Sequence, residues 1–280
     1  MDFSLHTTLS YRVRHHVPFV FNVQAQRCAG QEIVTESLQI DPDIPLESWT
    51  MPESGNRYFR LIAPPGGFQV RYQAQVALDH PVEDPTDIAE IPPGELPLSV
   101  LTQLYPSRYC QSDLLERFAQ RTFGALRPGY QRVVAICNWI HDNVDYVSGA
   151  SDASTSAYDT VSQRAGVCRD FAHLGIAVCR ALGIPARYVS AYAWRLDPPD
   201  FHAVFEAFLR GPAGPGWYMF DPTRMAASEG IVRIGVGRDA GEVAFCTQFG
   251  EMEADKPQVG ITGPANAPPA TTQAVRTQNP

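Results

Sequence analysis

Lysine is almost missing from this chain: Lys256 is the only one, so 21 of the 22 basic residues are arginines. Those arginines are scattered, and against 30 acidic residues they leave a formal charge of −8 and a pI near 5.3. With no basic cluster, nucleic acid and anionic membrane are both excluded as the primary partner. Metal-binding spacings are missing as well. The six cysteines, at 28, 110, 137, 168, 179 and 246, form no CxxC pair and no His/Cys cluster. That excludes a zinc-finger-type site, and neither a metal nor a cofactor is expected. Residues 1–14 alternate polar and apolar side chains without an unbroken apolar stretch, so they read neither as a secretory signal nor as a membrane span. A cytoplasmic setting is therefore expected, where the thiols should be free and most of them small buried hydrophobes.

What is present is an ordinary globular composition. Of 280 residues 44% are apolar, 19% charged and 10% aromatic, enough for one large or two modest domains. The first part reads as strands. Phe3, Leu5, Thr7, Leu9, Tyr11 and Val13 alternate with mostly polar neighbours, as do Phe19, Phe21, Val23 and Ala25. A third run covers 33–40. Residues 57–62, the breakers Pro64, Pro65, Gly66 and Gly67, and the alternating run 68–78 predict a hairpin. Residues 1–79 thus predict a small antiparallel β-domain, followed by a linker over 80–98, rich in Pro, Asp and Glu and laid over a surface.

Helical spacing comes next. Asp113 and Glu116 resemble a helix start, and Tyr130, Val133, Val134, Cys137, Ile140 and Val144 recur at helical intervals. Gly166 breaks the pattern. Cys168 then opens a helix with the apolar face Phe171, Leu174, Val178, Ala181 and Leu182, ended by Gly183 and Pro185. Strand-like runs follow at 186–194, 202–209, 217–220 and 243–249, so residues 99–254 predict an α+β domain, helices first and antiparallel sheet after. Residues 255–280, poor in large apolar side chains, predict a disordered tail.

A cysteine at a helix amino terminus is special, because unpaired N–H groups and the positive end of the helix dipole favour a thiolate. Only Cys168 is so placed. Cys137 and Cys179 lie within helical patterns, Cys28 and Cys246 in β-regions, and Cys110 before a helix without a glycine break. A thiol nucleophile needs a nearby base and a group to orient that base. His202, opening the run 201–206, and Asp221, between an apolar run and Pro222, are the candidates; alone, they would read as packing and turn chemistry. Arg169 and Asp170 read as helix-start structure, and His173 as packing. Trp139, Tyr146 and Tyr158 read as buried aromatics rather than oxyanion or substrate-wall groups. The Cys168 backbone N–H is the one oxyanion donor named.

Taken together, four segments are far more specific than their parts: Gly166-Val167-Cys168-Arg169-Asp170-Phe171-Ala172-His173-Leu174, Leu182-Gly183-Ile184-Pro185-Ala186-Arg187-Tyr188-Val189, Asp200-Phe201-His202-Ala203 and Phe220-Asp221-Pro222-Thr223-Arg224. They resemble the bacterial transglutaminase-like superfamily, and the runs 105–110 and 234–240 resemble its branch with an amino-terminal β-domain. The resemblance implies a papain-like core with the chain order Cys, His, Asp, carried onto Cys168, His202 and Asp221. It also implies that the thiolate attacks a carboxamide or peptide carbonyl and that water or an amine resolves the thioester. The calcium loops of the better known cross-linking enzymes are not recognisable here, so metal activation is not expected.

The expected function is therefore a cysteine peptidase or amidase acting on a peptide or protein amide. The alternatives are a protein-glutamine amine transferase and, in another class, a non-catalytic binding or assembly module. The β-domain, which carries no assignable motif, is expected to wall one side of the cleft or support a homo-oligomer. One thioester serves both hydrolysis and transfer, so the acceptor side of the cleft decides between them.

Overall fold

The structure is a computed structural model and describes residues 1–264 and 271–278. The chain opens with six strands: β1 (Asp2–Val13), β2 (Val17–Phe21), β3 (Gln31–Asp41), β4 (Leu46–Thr50), β5 (Arg57–Ala63) and β6 (Gly66–Leu78). Along β1 burial alternates residue by residue, as the period-two pattern requires. These strands build two sheets. β6 lies between β1 and β3 in one, and β5 between β2 and β4 in the other, all antiparallel. The expected hairpin over 57–78 is therefore corrected: β5 pairs with β2 (Phe21↔Phe59) and β6 with β1 (Thr7↔Tyr72). Each run has a full apolar face, and the two faces cover one another across a sandwich, which side-by-side pairing in one layer does not allow. Leu9, Tyr11, Val13, Phe19, Phe21, Phe59, Leu61, Phe68 and Val70 fill the space between. Phe19 stacks on Phe21 at 5.7 Å, and Phe21 on Phe59 at 5.0 Å.

The expected linker is packed down on the body. It contains the short strand β7 (Val82–Glu83) and buries Ile88, Ile91 and Leu96, and Ala89 and Arg210 exchange two backbone hydrogen bonds of 2.9 Å. Four α-helices follow: α1 (Ser112–Phe123), α2 (Tyr130–Asn143), α3 (Ala157–Gln163) and α4 (Cys168–Ala181). At seven residues α3 is too short to show a period, though Asp159 caps it by accepting from the Ser156 N–H at 2.9 Å. Two short strands, β8 (Asp145–Tyr146) and β9 (Ala165–Gly166), pair in parallel just before α4.

The remaining strands are β10 (Ala186–Ala193), β11 (Phe201–Gly211), β12 (Gly214–Phe220), β13 (Ile231–Gly237), β14 (Cys246–Gln248), β15 (Glu253–Ala254), β16 (Gln258–Thr262) and β17 (Ala274–Gln278). All seven residues of β13 are buried, so its sequence shows no alternation. An antiparallel sheet runs in the order β13-β10-β11-β12-β17-β7. On one face, Ala203, Phe205, Ala207 and Phe220 pack against Phe171, Leu174 and Val178 of α4. Gly175 sets that spacing, since a Cβ there would lie 2.6 Å from the Phe205 ring. Elsewhere the sheet meets the amino-terminal sandwich, Tyr192, Val232 and Ile234 packing on Phe3, Leu5, Tyr72 and Val76. Helices before an antiparallel sheet, with a β-rich first region, make the protein α+β.

The chain end differs from the expected disordered tail. β14 extends the sheet of β2, while β15 and β16 both pair with β1. The amino-terminal sandwich is thus completed by residues that lie more than 200 positions later. β17 inserts between β12 and β7. Residues 258–262 and 274–278 are strands; 265–270 and 279–280 lie outside the described residues. Composition hid these strands because β16 is held by backbone pairing with β1, and β17 by backbone pairing and the polar contacts of Arg276 and Thr277, which need few large apolar side chains. Among the described residues no helix is long and apolar enough to cross a membrane.

At the centre of β11 the fully buried Glu206 accepts from Arg187 at 2.6 Å, Arg233 at 3.1 Å and Thr277 of β17 at 2.6 Å. Burial alone would raise its pKa, but the two arginine charges and these hydrogen bonds hold it down at about 2. Removing β17 leaves Glu206 short of a donor and Arg233 without the Thr277 carbonyl, which it reaches at 3.1 Å. Each lost partner costs about 1–3 kcal/mol, so truncation after Gln273 should lower the melting temperature by roughly 5–10 °C. Scanning calorimetry checks this, and an unchanged melting temperature would show that the strand is dispensable.

Candidate active site

Cys168 is the first residue of α4, and the chain reaches it through the parallel pair β8–β9, in which Tyr146 lies opposite Gly166. A Cβ on Gly166 would come within 2.7 Å of the Asp170 Cβ, so glycine is what lets the Asp170 side chain fold back over the helix start. There Asp170 accepts from the Val167 N–H at 2.9 Å and from Arg169 Nη2 at 2.9 Å, while Arg169 also donates to the Asp152 carbonyl at 2.6 Å. These two residues hold the turn that presents the half-buried Cys168.

His202 is the second residue of β11, only 3% exposed, and pairs with Ala191 on β10. β12 runs antiparallel on the other side with Phe205 opposite Phe220, and Asp221 follows directly, within side-chain reach of His202. His202 Nε2 and Asp221 Oδ2 are 2.9 Å apart. Asp221 is itself fixed: its Oδ1 accepts from the Thr223 N–H at 2.9 Å and the Thr223 hydroxyl at 2.7 Å, and its Oδ2 from the Ala226 N–H at 3.2 Å. Burial pushes the Asp221 carboxyl up, but the hydrogen bond and charge of His202, with the Thr223 contacts, bring it below the usual carboxylate range. For His202 the balance is the reverse. Burial alone would lower the imidazole, yet the hydrogen bond to Asp221 and the interaction with Cys168 carry it up to about 10. Its Nδ1 is buried without a hydrogen-bond partner. With Nε2 committed to Asp221, Nδ1 is the ring nitrogen left for the Cys168 sulfur. The structure thus brings together a helix start, a strand start and a strand end that were named separately in the sequence.

The other sequence candidates fall elsewhere. His173 is fully buried, stacked on Tyr109 at 5.2 Å and tilted against Tyr188 at 5.1 Å, and its Nε2 accepts from the Ala240 N–H at 3.1 Å. Burial drives its pKa to about 3, so it is a neutral packing wedge. Trp139 packs on Phe118 and under Arg164. Tyr158 and Tyr146 depart from the burial expected of them, at 47% and 45% exposed. The Tyr146 ring tilts against Phe171 at 5.7 Å and its hydroxyl neighbours the backbone and thiol of Cys168; burial and that thiol raise its pKa. A two-residue strand offers no period by which sequence could have placed it.

Cys168 and His202 open into a cleft of about 570 Å³ whose walls include Tyr109, Tyr188, Ser190, Phe201, Val243 and Phe245. One wall is residues 240–241 and 243–248, ending in β14 of the amino-terminal sandwich. Residues 243–249 read as a strand in sequence, but nothing local said that it borders this cleft. Among the described residues, no Asp or Glu lines it. Among the described residues no three His, Cys, Asp or Glu side chains converge as metal ligands.

Comparison with known proteins agrees with this architecture. Residues 116–222, which contain Cys168, His202 and Asp221, match the profile of the transglutaminase-like superfamily, and residues 1–93 match that of the bacterial transglutaminase N-terminal domain. A solved structure from Cytophaga hutchinsonii, provisionally described as a cysteine protease, is 40% identical, with a TM-score of 0.91 over 99% of this chain and 98% of that one. An uncharacterized protein of Mycobacterium leprae is 38% identical over 40% of this chain and 42% of its own length. One from Mycobacterium tuberculosis is 30% identical over 54% of this chain and 51% of its own. The chain thus spans about half the length of these curated relatives.

The other five thiols are poorly placed to react. Burial pushes Cys110 up to about 12 and Cys246 up to about 11, and it is also the leading cause that raises Cys28, Cys137 and Cys179. At pH 7, iodoacetamide should therefore label Cys168 at least about tenfold faster than any of them. Peptide mapping of a time course checks this, and equal labelling of Cys168 and Cys110 would count against it.

Proposed function

Because the chain belongs to the transglutaminase-like superfamily, a family of thiol-dependent enzymes, we propose that it hydrolyses amide or peptide bonds through Cys168, His202 and Asp221. The observation that carries this reading is the buried His202, held by Asp221 on one nitrogen with the other left for Cys168. In the proposed reaction the thiol gives its proton to His202, whose imidazole, held by Asp221, keeps a proton up to about pH 10. The Cys168 sulfur attacks the substrate carbonyl carbon, forming the C–S bond. The Cys168 N–H at the helix start meets the oxyanion, with the Tyr146 hydroxyl beside it. As the C–N bond breaks, His202 gives its proton to the departing amine. The neutral imidazole then takes a proton from water, which attacks the thioester; the C–S bond breaks, the carboxylic acid leaves, and the thiolate–imidazolium pair is restored. Asp221 stays ionised throughout and stabilises the imidazolium.

Water is favoured over an amine as acceptor. A lysine ammonium approaching the thioester would find no carboxylate among the cleft residues to hold it. The Cytophaga hutchinsonii relative supports the same direction. A transferase is the second reading, and product analysis separates the two. Given glutamine-containing peptides and excess labelled amine, the enzyme should release free acid faster than it incorporates amine, with both lost in Cys168→Ala. Efficient Cys168-dependent incorporation with little acid would make it a transferase. Since only Lys256 and the amino terminus offer primary amines in this chain, self-linked ladders should be scarce either way.

The pH profile tests the roles of His202 and Asp221. A base whose pKa lies above its free value keeps its proton through neutrality and gives it up only at high pH. Turnover that needs the imidazolium should therefore hold to about pH 9 and fall as pH passes about 10. Asp221→Asn should fold, lose roughly 10³–10⁴ in kcat, and move the alkaline limb to lower pH. Wild-type turnover in this variant would remove Asp221 from the mechanism.

A further inference from the structure

The cleft wall formed by β14 has a feature that the hydrolytic step does not use. β14 is the end strand of its sheet and pairs only with β2 among the described residues, in the register Cys246↔Phe21, Thr247↔Val20 and Gln248↔Phe19. On either side of that run, the Asn22 N–H donates to the Phe245 carbonyl at 3.1 Å and the Phe249 N–H to the Pro18 carbonyl at 3.0 Å. In an antiparallel ladder the hydrogen-bonded pairs recur every second residue. Positions 245, 247 and 249 therefore face β2, and the N–H and C=O groups of Cys246 and Gln248 point out from the free edge. An open edge of this kind is a template for another strand, and natural proteins cover or charge such edges unless they use them. Among the described residues no strand covers this one and none of its residues is charged, and it borders the cleft that holds Cys168 and His202.

The side chains beside it are selective in a second way. Cys246 turns its thiol toward Tyr11 in the sandwich core, so Phe245 and Thr247 project from the opposite face. Phe245 stacks on Phe201 at 4.9 Å and 17°, yet remains 37% exposed. Phe201 is the residue immediately before His202, so an apolar step lies directly beside the reacting centre. Apart from Arg169 and His202, no charged side chain among the described residues lines the cleft.

From this we propose that the substrate is an extended polypeptide segment that adds to β14 as a further antiparallel or parallel strand and places an apolar side chain against Phe201 and Phe245. The inference rests on Cys168 being the nucleophile and adds what that nucleophile is given. Three residues of strand present about 10 Å of edge, so recognition reads backbone over a short run and one apolar side chain. A segment already paired in a helix or a sheet has no backbone groups to offer, so loops and unfolded stretches of proteins are substrates, whereas helical segments and free small amides are poor ones.

Active-site-directed probes test this without a known substrate. Acetyl-Ala-Phe-Ala-Gly chloromethyl ketone extends the peptide on the acyl side of Cys168, and bromoacetyl-Gly-Ala-Phe-Ala-amide on the other. Their short homologues, acetyl-Gly chloromethyl ketone and bromoacetamide, carry the same reactive groups. The quantity read is the ratio of long-probe to short-probe alkylation rates at Cys168. At least one long probe should react about tenfold or more faster than its homologue. Gln248→Pro removes only an outward N–H, which an edge strand tolerates, and should abolish most of that gain. Phe245→Ala should reduce it, as should N-methylation of the long probe's backbone, which needs no protein variant. The proposal is overturned if neither long probe gains over its homologue, or if the gain survives both Gln248→Pro and probe N-methylation. Failure of the underlying reading looks different: the short probes themselves would leave Cys168 unlabelled.

Discussion

A carboxylate with no exposure, Glu206, sits at the middle of β11, and the packing of the α+β region is arranged to keep it charged there. Removing a charged partner from such a buried cluster typically costs about 3–5 kcal/mol, because it strands an uncompensated charge. The partners come from far apart: Arg187 from β10, Arg233 from β13 and Thr277 from β17. Arg233 then reaches into the amino-terminal part, donating to Cys28 Sγ at 2.9 Å and the Ala29 carbonyl at 3.3 Å. Gln31 satisfies both backbone groups of Arg233, accepting its N–H at 2.8 Å and donating to its carbonyl at 2.9 Å. A single buried charge therefore ties together the beginning, middle and end of the chain.

The same strand carries His202, four residues before Glu206, so what fixes β11 also fixes the imidazole. Two contacts then set the spacing of Cys168, His202 and Asp221. Phe205 presses on Gly175 and determines how near α4 lies to β11, while the β11–β12 register brings Asp221 to His202 Nε2. The site is assembled from the ends of regular elements, which rotate little once the elements are packed, and that is the preorganisation a general acid–base pair needs. The raised His202 and the lowered Asp221 are two readings of one contact, for both shifts favour the charged pair over its neutral form.

The amino-terminal sandwich is joined to the site by topology. After Val243 the chain leaves the β10–β13 sheet, forms the edge strand beside β2 and then runs along β1. The cleft wall thus belongs to the sandwich by hydrogen bonding and to the α+β region by chain continuity. Tilting the sandwich would move that wall relative to Cys168, and Phe3, Leu5 and Tyr72 packed on Val232 and Ile234 oppose such a tilt. The fold therefore gives the β-region a direct route to influence what enters the cleft.

Local signals in the sequence determined a good deal by themselves. The period of two in β1, the period of 3.6 in α4 and the breaks at Gly166 and Pro222 are properties of a few neighbouring residues, so they placed Cys168, His202 and Asp221 at the ends of their elements. The chain order of those residues, with the surrounding segments, also carried the family resemblance. What needed the tertiary structure was pairing. An alternating strand declares which face is buried but not which strand lies beside it, so the runs at 57–62 and 68–78 read as one hairpin although they belong to opposed sheets. Residues 258–262 and 274–278 looked like tail because the first is held by backbone pairing with β1 and the second, inserted between β12 and β7, by backbone pairing and polar side chains, to which apolar composition is blind. Tyr146, beside Cys168, and the β14 wall of the cleft were hidden for a related reason: their positions come from contacts with residues far away in sequence. Burial period is a local quantity, whereas strand partnership and cleft position arise only when distant segments meet.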